Sequence, residues 1–343
     1  MKTIRWGVIG SGIIADKWLA GSMQVPDMQV VAIASRSAER AKPLAEKYGI
    51  VTVCASIEAL LARADIDAVY IATPHTSHYE WTMLSLAHGK HVLCEKPMGI
   101  NEQEESAMVA YAKEKQCFLM EATWMRFFPM MQALREEIAS GVIGELRCIR
   151  ASFTFQKKGA GKEHRLFNPE LAGGALLDVG IYCLHFCEAL LGATPLQVHS
   201  LANINTDENH YGVDEQSVII ARYPKHVLAT LTCSVATRMG DDAVLYGTKG
   251  RIEVPTFWQP TQYSRVVDEA RVTVDMPVEN TNPAFADLGY QYEIAHMNDC
   301  LRKHQLQSPV MTHDSSLAII RLCDTMRKEW GLVYPMEKND GRP

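Results

Sequence analysis

The chain has 343 residues, a formal charge of −6, 47% hydrophobic residues and 22% charged residues. That length suits two domains, and the composition excludes a mainly disordered chain and a long coiled coil; the mild acidity argues against a surface that wraps nucleic acid. No run of about 18 uninterrupted apolar residues occurs, so no membrane span is expected. Nine scattered cysteines without a CxxC pair read as free thiols in a reducing compartment. The N-terminus enters a strand-like segment without a signal-peptide core, so a cytoplasmic protein is expected.

Residues 4–9, 29–34, 67–72, 91–94 and 117–121 are short apolar runs. Helix-like stretches at 12–24, 37–48, 56–63, 77–88 and 102–116 separate them. Strands alternating with helices predict a parallel, doubly wound sheet with both faces covered. After residue 123 the rhythm changes, and the domain boundary is placed there: 1–123, then 124–343. A helix is expected over 130–140, a half-wet strand over 146–155 and a helix over 176–191. Residues 217–223 and 227–235 flank Pro224-Lys225-His226 as a hairpin, and 243–254 turns between Gly247 and Gly250. Strands following strands predict a mostly antiparallel open sheet in an α+β domain. A closing helix is expected over 314–330, and the polar tail 337–343 is expected to fray.

Gly10-Ser11-Gly12-Ile13-Ile14-Ala15 follows the first strand and opens a helix, a GxGxxA pattern. Gly10 permits the tight turn, Gly12 lets a pyrophosphate approach the backbone, and Ala15 packs against the strand. A dinucleotide is therefore expected on the helix N-terminus. The second strand ends Ala34-Ser35-Arg36-Ser37, with no carboxylate at its tip. Arg36 is suited to pairing with a 2′-phosphate, with Ser35 and Ser37 as donors, so NADP is expected over NAD. Arg40 reads as a surface charge.

Ligands of an open α/β sheet sit beyond the carboxyl ends of its strands. Ala72-Thr73-Pro74-His75-Thr76-Ser77-His78 and Glu95-Lys96-Pro97 both leave such ends. Thr73, Pro74, His75, His78, Glu95 and Lys96 are therefore candidate cofactor contacts, with His78 expected to line the nicotinamide pocket. The HxxH pair has no completing carboxylate or thiolate, so no metal is expected. Asp178, Tyr182 and His185 share i, i+4, i+7 spacing on an otherwise apolar helix, which suggests a cavity. The alternative for such a set is a buried hydrogen-bonded cluster without chemistry. Sixteen methionines read as core filler, and the charged stretch 157–165 as a solvated loop.

The chain resembles the Gfo/Idh/MocA oxidoreductases. The carriers are GSGIIA at 10–15, ATPHTSH at 72–78, EKP at 95–97, MEATWMRFFP at 120–129, AGGALLDVGIYCLHF at 172–186, GTKGRI at 247–252 and the closing helix with Tyr334-Pro335. Its wording is most similar to the branch of dimeric dihydrodiol dehydrogenases, NADP-xylose dehydrogenases and glucose–fructose oxidoreductases. The resemblance implies a Rossmann domain, then a sheet domain used for dimerisation as a homodimer or dimer of dimers. It implies hydride exchange between nicotinamide and a hydroxyl- or carbonyl-bearing carbon of a sugar, polyol or dihydrodiol. Action on CH–OH is the first expectation and on CH–CH the alternative. Lys96 matches the EKP lysine and Asp178 the aspartate of the catalytic helix. Tyr182 stands where many members carry histidine, and is the implied acid/base, its pKa lowered by Lys96. His185 stands where many carry aspartate and is given no role. Candidate substrate contacts are Trp124, Arg126, Phe127, Phe155, Arg165, Tyr182 and Tyr290, with Arg126 and Arg165 the foremost. Two competing readings are a dinucleotide sensor without turnover and a two-substrate enzyme that retains its cofactor.

Overall fold

The computed structural model describes residues 3–204, 212–285 and 288–338. In chain order the elements are β1 (Ile4–Ile9), α1 (Ile13–Ser22), β2 (Met28–Ala34), α2 (Ala38–Tyr48), β3 (Thr52–Val53), α3 (Ile57–Leu61), β4 (Ala68–Ile71), α4 (His78–Ala87), β5 (His91–Glu95), α5 (Glu102–Glu114) and β6 (Leu119–Ala122). Then come α6 (Pro129–Ser140), β7 (Leu146–Thr154), a π-turn (Leu176–Gly180), α7 (Ile181–Leu191), β8 (Gln197–Ile204), β9 (Asp214–Arg222) and β10 (Leu228–Ser234). The chain continues with β11 (Ala243–Gly247), β12 (Gly250–Val254), β13 (Gln262–Val267), β14 (Ala270–Asp275), α8 (Tyr290–Arg302), α9 (His313–Trp330) and α10 (Pro335–Lys338).

By internal contact the chain divides into two compact units, 1–127 with 278–317 and 128–277 with 318–343. The segment 278–317, assigned from sequence to the second domain, therefore packs with the first. The cause is α8, which buries Tyr290, Ile294, Met297 and Leu301 on one stripe. Its Asn298 accepts the indole N–H of Trp6 at 3.1 Å, and Trp6 and Trp18 pack ring to ring at 5.2 Å.

The first unit holds a six-stranded parallel sheet in the order β3-β2-β1-β4-β5-β6. β4 and β6 are buried at every position, as a sheet covered on both faces requires. Asn101 caps α5 by accepting from Glu104 N, and Ser56 caps α3 by accepting from Ala59 N.

The second unit holds an eight-stranded sheet in the order β14-β13-β12-β11-β7-β10-β9-β8. Six of its pairings are antiparallel, while β10 and β7 run parallel. β8, β13, β14 and α8 go beyond the elements read from sequence. The hairpin turns do fall at Pro224–His226 and between Gly247 and Gly250. α6 is tied to the sheet by Glu137, which accepts from Tyr263 Oη at 2.7 Å and pairs with Arg265 at 2.8 Å. Pro169–Leu191 is the one described stretch apolar and long enough to cross a membrane, and it is 89% buried inside the protein as a core helix. Residues 337–338 of the polar tail belong to α10, while 339–343 lie outside the described residues.

Candidate active site

The candidate cofactor-binding residues lie on the first unit. Gly10 has φ +120°, and a Cβ there would fall 2.4 Å from the carbonyl oxygen of Ala72, so only glycine passes. Its N–H donates to Ala34 O at 2.8 Å, joining the tip of β1 to that of β2. Gly12 is the N-cap of α1, with extended backbone, and nothing lies within 4 Å of where its side chain would begin. That open cradle at a helix N-terminus fits a pyrophosphate. Ile13 beside it is 78% exposed, and Ser11 and Ile14 are partly so. Arg36 is exposed at the tip of β2. Ser35, expected to donate to a 2′-phosphate, is instead buried and donates to Ser37 O at 2.7 Å, closing the turn.

Thr73 and His75 stand half-buried and Pro74 exposed on the loop after β4. His78, expected to line the nicotinamide pocket, is fully buried at the start of α4. Its Nδ1 lies 2.8 Å from Pro97 O and its Nε2 2.9 Å from Thr73 O, so the ring braces the two loops against each other. Both oxygens can only accept, so a neutral ring satisfies one at a time, and burial holds its pKa below the usual histidine value.

Lys96 is buried, and the Lys96–Pro97 peptide is cis. Behind it four carboxylates take the loop's amides. Lys96 N and Met98 N donate to Glu95 and Glu121 at 3.3 Å, Gly99 N to Glu105 at 3.0 Å and Ile100 N to Glu104 at 3.1 Å. Glu95, a candidate cofactor contact from sequence, is buried and receives the Tyr70 hydroxyl at 2.5 Å. Burial pushes its pKa up to about 7 against the hydrogen bond from Tyr70 and the charge of Lys96.

The candidate residues of the second unit lie on and around α7. The helix expected over 176–191 begins as the π-turn and becomes α-helical only at Ile181. The wider turn offsets Asp178 from the single α-helical face that its spacing suggested. Asp178 pairs with Arg165 at 2.8 Å, with Arg165 half-exposed and Asp178 buried. Tyr182 is 8% exposed, its ring edge-on to Phe153 at 5.4 Å. Phe153 stacks on Trp258 at 5.1 Å, and Phe155 packs on the cluster of Leu166, Phe167 and Val179. His185 is fully buried.

Trp124, Arg126 and Tyr290 belong to the first unit, where all three are buried. Trp124 stacks on Tyr290 at 4.4 Å and 4°, and Phe127 lies 4.8 Å from His296. Trp124, named from sequence as a substrate contact, is thus part of the packing that seats α8. Sequence reading missed Trp258, Tyr70, Glu121, Glu104, Glu105 and Asp214. Buried strand and helix positions carrying carboxylates were the available signal for the last four.

A six-stranded parallel sheet entered through a GxGxxA turn is the plan of a dinucleotide-binding unit, joined in this chain to a mostly antiparallel sheet. Residues 4–123 match the Gfo/Idh/MocA oxidoreductase family with its NAD-binding Rossmann fold, and residues 131–253 match that family's C-terminal domain. The chain belongs to the Gfo/Idh/MocA oxidoreductases. It is 37% identical to the trans-1,2-dihydrobenzene-1,2-diol dehydrogenase of Mus musculus over 98% of this chain and 99% of that one, and 36% identical to that of Homo sapiens over the same shares. Among solved structures it is similar to a 3-ketoreductase from Actinomadura kijaniata in complex with NADP and TDP-benzene, with TM-score 0.84 and 27% identity over 95% of this chain and 98% of that one. It shares the fold of an aldose-aldose oxidoreductase from Caulobacter crescentus, with TM-score 0.85 and 21% identity over 99% of each chain.

Proposed function

We propose that this oxidoreductase is NADP-dependent and oxidises a CH–OH carbon of a trans-dihydrodiol or a related sugar or polyol. The observation that carries the reading is the presence of Lys96, Asp178 and Tyr182 on braced, buried backbone in a chain matched end to end by diol dehydrogenases. Gly10, Ser11, Gly12, Ile13 and Ile14 would hold the pyrophosphate, Arg36 and Ser37 would bind the 2′-phosphate, and Thr73, Pro74 and His75 would contact the nicotinamide. When bound, NADP+ supplies the hydride acceptor. Tyr182 accepts the proton of the substrate hydroxyl as its carbon becomes a carbonyl. Lys96 is the catalytic lysine of this reading, held on the buried Glu95-Lys96-Pro97 turn of the first unit. Arg165, fixed by Asp178, orients the substrate oxygens, and Phe155 offers an apolar face. A ring carbonyl formed this way on a dihydrodiol tautomerises to a catechol, so the same chemistry serves a net CH–CH oxidation.

The exposed face of the second sheet supports a homodimer through that sheet. Leu201, Val218, Ile220 and Leu228 are 81%, 43%, 52% and 49% exposed on adjacent strands. Nine free cysteines support a reducing, cytoplasmic setting.

The test is fluorescence titration of NADPH and NADH with wild type and Arg36→Ala, then NADPH absorbance with trans-dihydrodiols, aldoses and inositols. The expected result is tighter NADPH than NADH, a preference lost in Arg36→Ala, and turnover on diols or aldoses. NADH preference in wild type contradicts the role of Arg36. Tight binding without turnover on any compound overturns the dehydrogenase in favour of a sensor.

A further inference from the structure

The turn that introduces Asp178 is gripped by groups that the chemistry above does not use. Gly174 has φ +126°, and a Cβ there would fall 2.1 Å from Asp214 Oδ1. The other oxygen, Asp214 Oδ2, accepts the N–H of Leu176, first residue of the π-turn, at 2.6 Å. Asp214 is the first residue of β9 and is wholly buried. It thus caps from another element a helix start whose own N-cap, Ala175, offers no side chain. Gly173 is pressed against the loop that carries Arg165, with a would-be Cβ 2.6 Å from Arg165 O. From the far side Tyr334 Oη donates to Gly173 O at 2.9 Å. Tyr334 is fixed in turn by Arg327, whose guanidinium lies 4.6 Å from its ring and makes two hydrogen bonds of 2.9 Å to Glu337.

We propose that Asp214 is a positioning residue for this reaction, holding the 173–176 backbone so that Asp178 and Tyr182 meet substrate in register, with Tyr334 as its partner on the other side. The proposal rests on the reading of Tyr182 as the reacting group and of Asp178 as the residue that fixes Arg165. It gives the C-terminal segment a task, since α9 and α10 exist in part to seat Tyr334 behind the site. A π-turn is less self-supporting than an α-helix, so an outside cap has leverage on it.

The experiment compares full-length Asp214→Ala, Asp214→Asn and Tyr334→Phe with wild type. The readouts are kcat and KM for trans-dihydrodiol oxidation, NADP+ affinity, and hydrogen exchange of amides 174–180. Asp214→Ala is expected to lower kcat about tenfold or more, with NADP+ affinity unchanged and faster exchange at 174–180 but not in β1–β6. Asp214→Asn keeps an acceptor oxygen for Leu176 N–H and is expected within about threefold of wild type. Tyr334→Phe is expected to show a smaller loss in the same direction. Asp214→Ala with unchanged kcat and exchange overturns the proposal, as does an Asn variant as impaired as the Ala variant. If Asp214→Ala does not fold, Tyr334→Phe decides: unchanged kcat and unchanged exchange overturn it. If wild type turns over no diol or sugar, the substrate reading has failed by itself. Exchange alone then decides, with unaltered protection in Asp214→Ala overturning the proposal.

Discussion

Arg36 is the side chain whose role depends most on what is missing around it. The tip of β2 carries no carboxylate and holds an exposed guanidinium, which is the basis for proposing Arg36 as the 2′-phosphate contact. Ser35 shows the limit of such reading, because a hydroxyl beside the phosphate site was claimed by its own turn. His78 shows another limit: a histidine on a loop looked like a pocket wall, yet two carbonyls hold it in the core. Buried acids set a pH signature. Burial raises both Asp214 and Glu95 to about 7. An unfolded carboxylate titrates near pH ~4, so the folded state binds more protons between the two values, and stability falls as pH rises from about 4 to about 7. Acids paired at the surface, such as Asp65 with Arg63, titrate below that window. Buried His78, His296 and His313 act in the opposite sense, so the expected result is a difference: the Tm of Asp214→Asn lacks part of the fall with rising pH across the window that wild type shows. Parallel curves for the two proteins contradict the assignment.

At the scale of elements, the first sheet was legible because its strands are apolar on both faces and separated by helices. The GxGxxA turn was legible because only glycine passes Ala72. The second sheet was partly legible. β9 and β10 alternate in burial along most of their length, as half-wet strands do. β14 is exposed at almost every position, so its sequence carries no core signal, and β3 is two residues long. α8 carried a readable stripe of Tyr290, Ile294, Met297 and Leu301, but its return to the first unit is a tertiary fact, made by α1 and Trp6. The π-turn was invisible because a buried, mostly apolar run reads the same in sequence whether its turn is π or α. What selects it is contact from outside the turn, through Asp214 and the Gly173-Gly174 pair. The carboxylates behind Lys96 were hidden for a similar reason: Glu104 and Glu105 read as a helix's acidic first turn, which they also are.

At the scale of the molecule, the chain is a Rossmann unit that carries Lys96 and a sheet unit that carries Tyr182, with the chain crossing between them three times. The sheet unit offers an open face with Leu201 and Ile220 exposed on neighbouring strands. Light scattering is expected to give a dimer for wild type and a smaller species for a Leu201→Asp, Ile220→Asp double variant. A monomeric wild type contradicts the interface.

The central claim is that Tyr182 moves the substrate proton, and one comparison tests it most directly. Steady-state oxidation of a trans-dihydrodiol by wild type and Tyr182→Phe is measured alongside NADPH affinity by fluorescence. General acid–base help of this kind is worth roughly 10²–10⁴-fold, so turnover should fall by that much while cofactor affinity holds. A Tyr182→Phe enzyme within about threefold of wild type contradicts the claim.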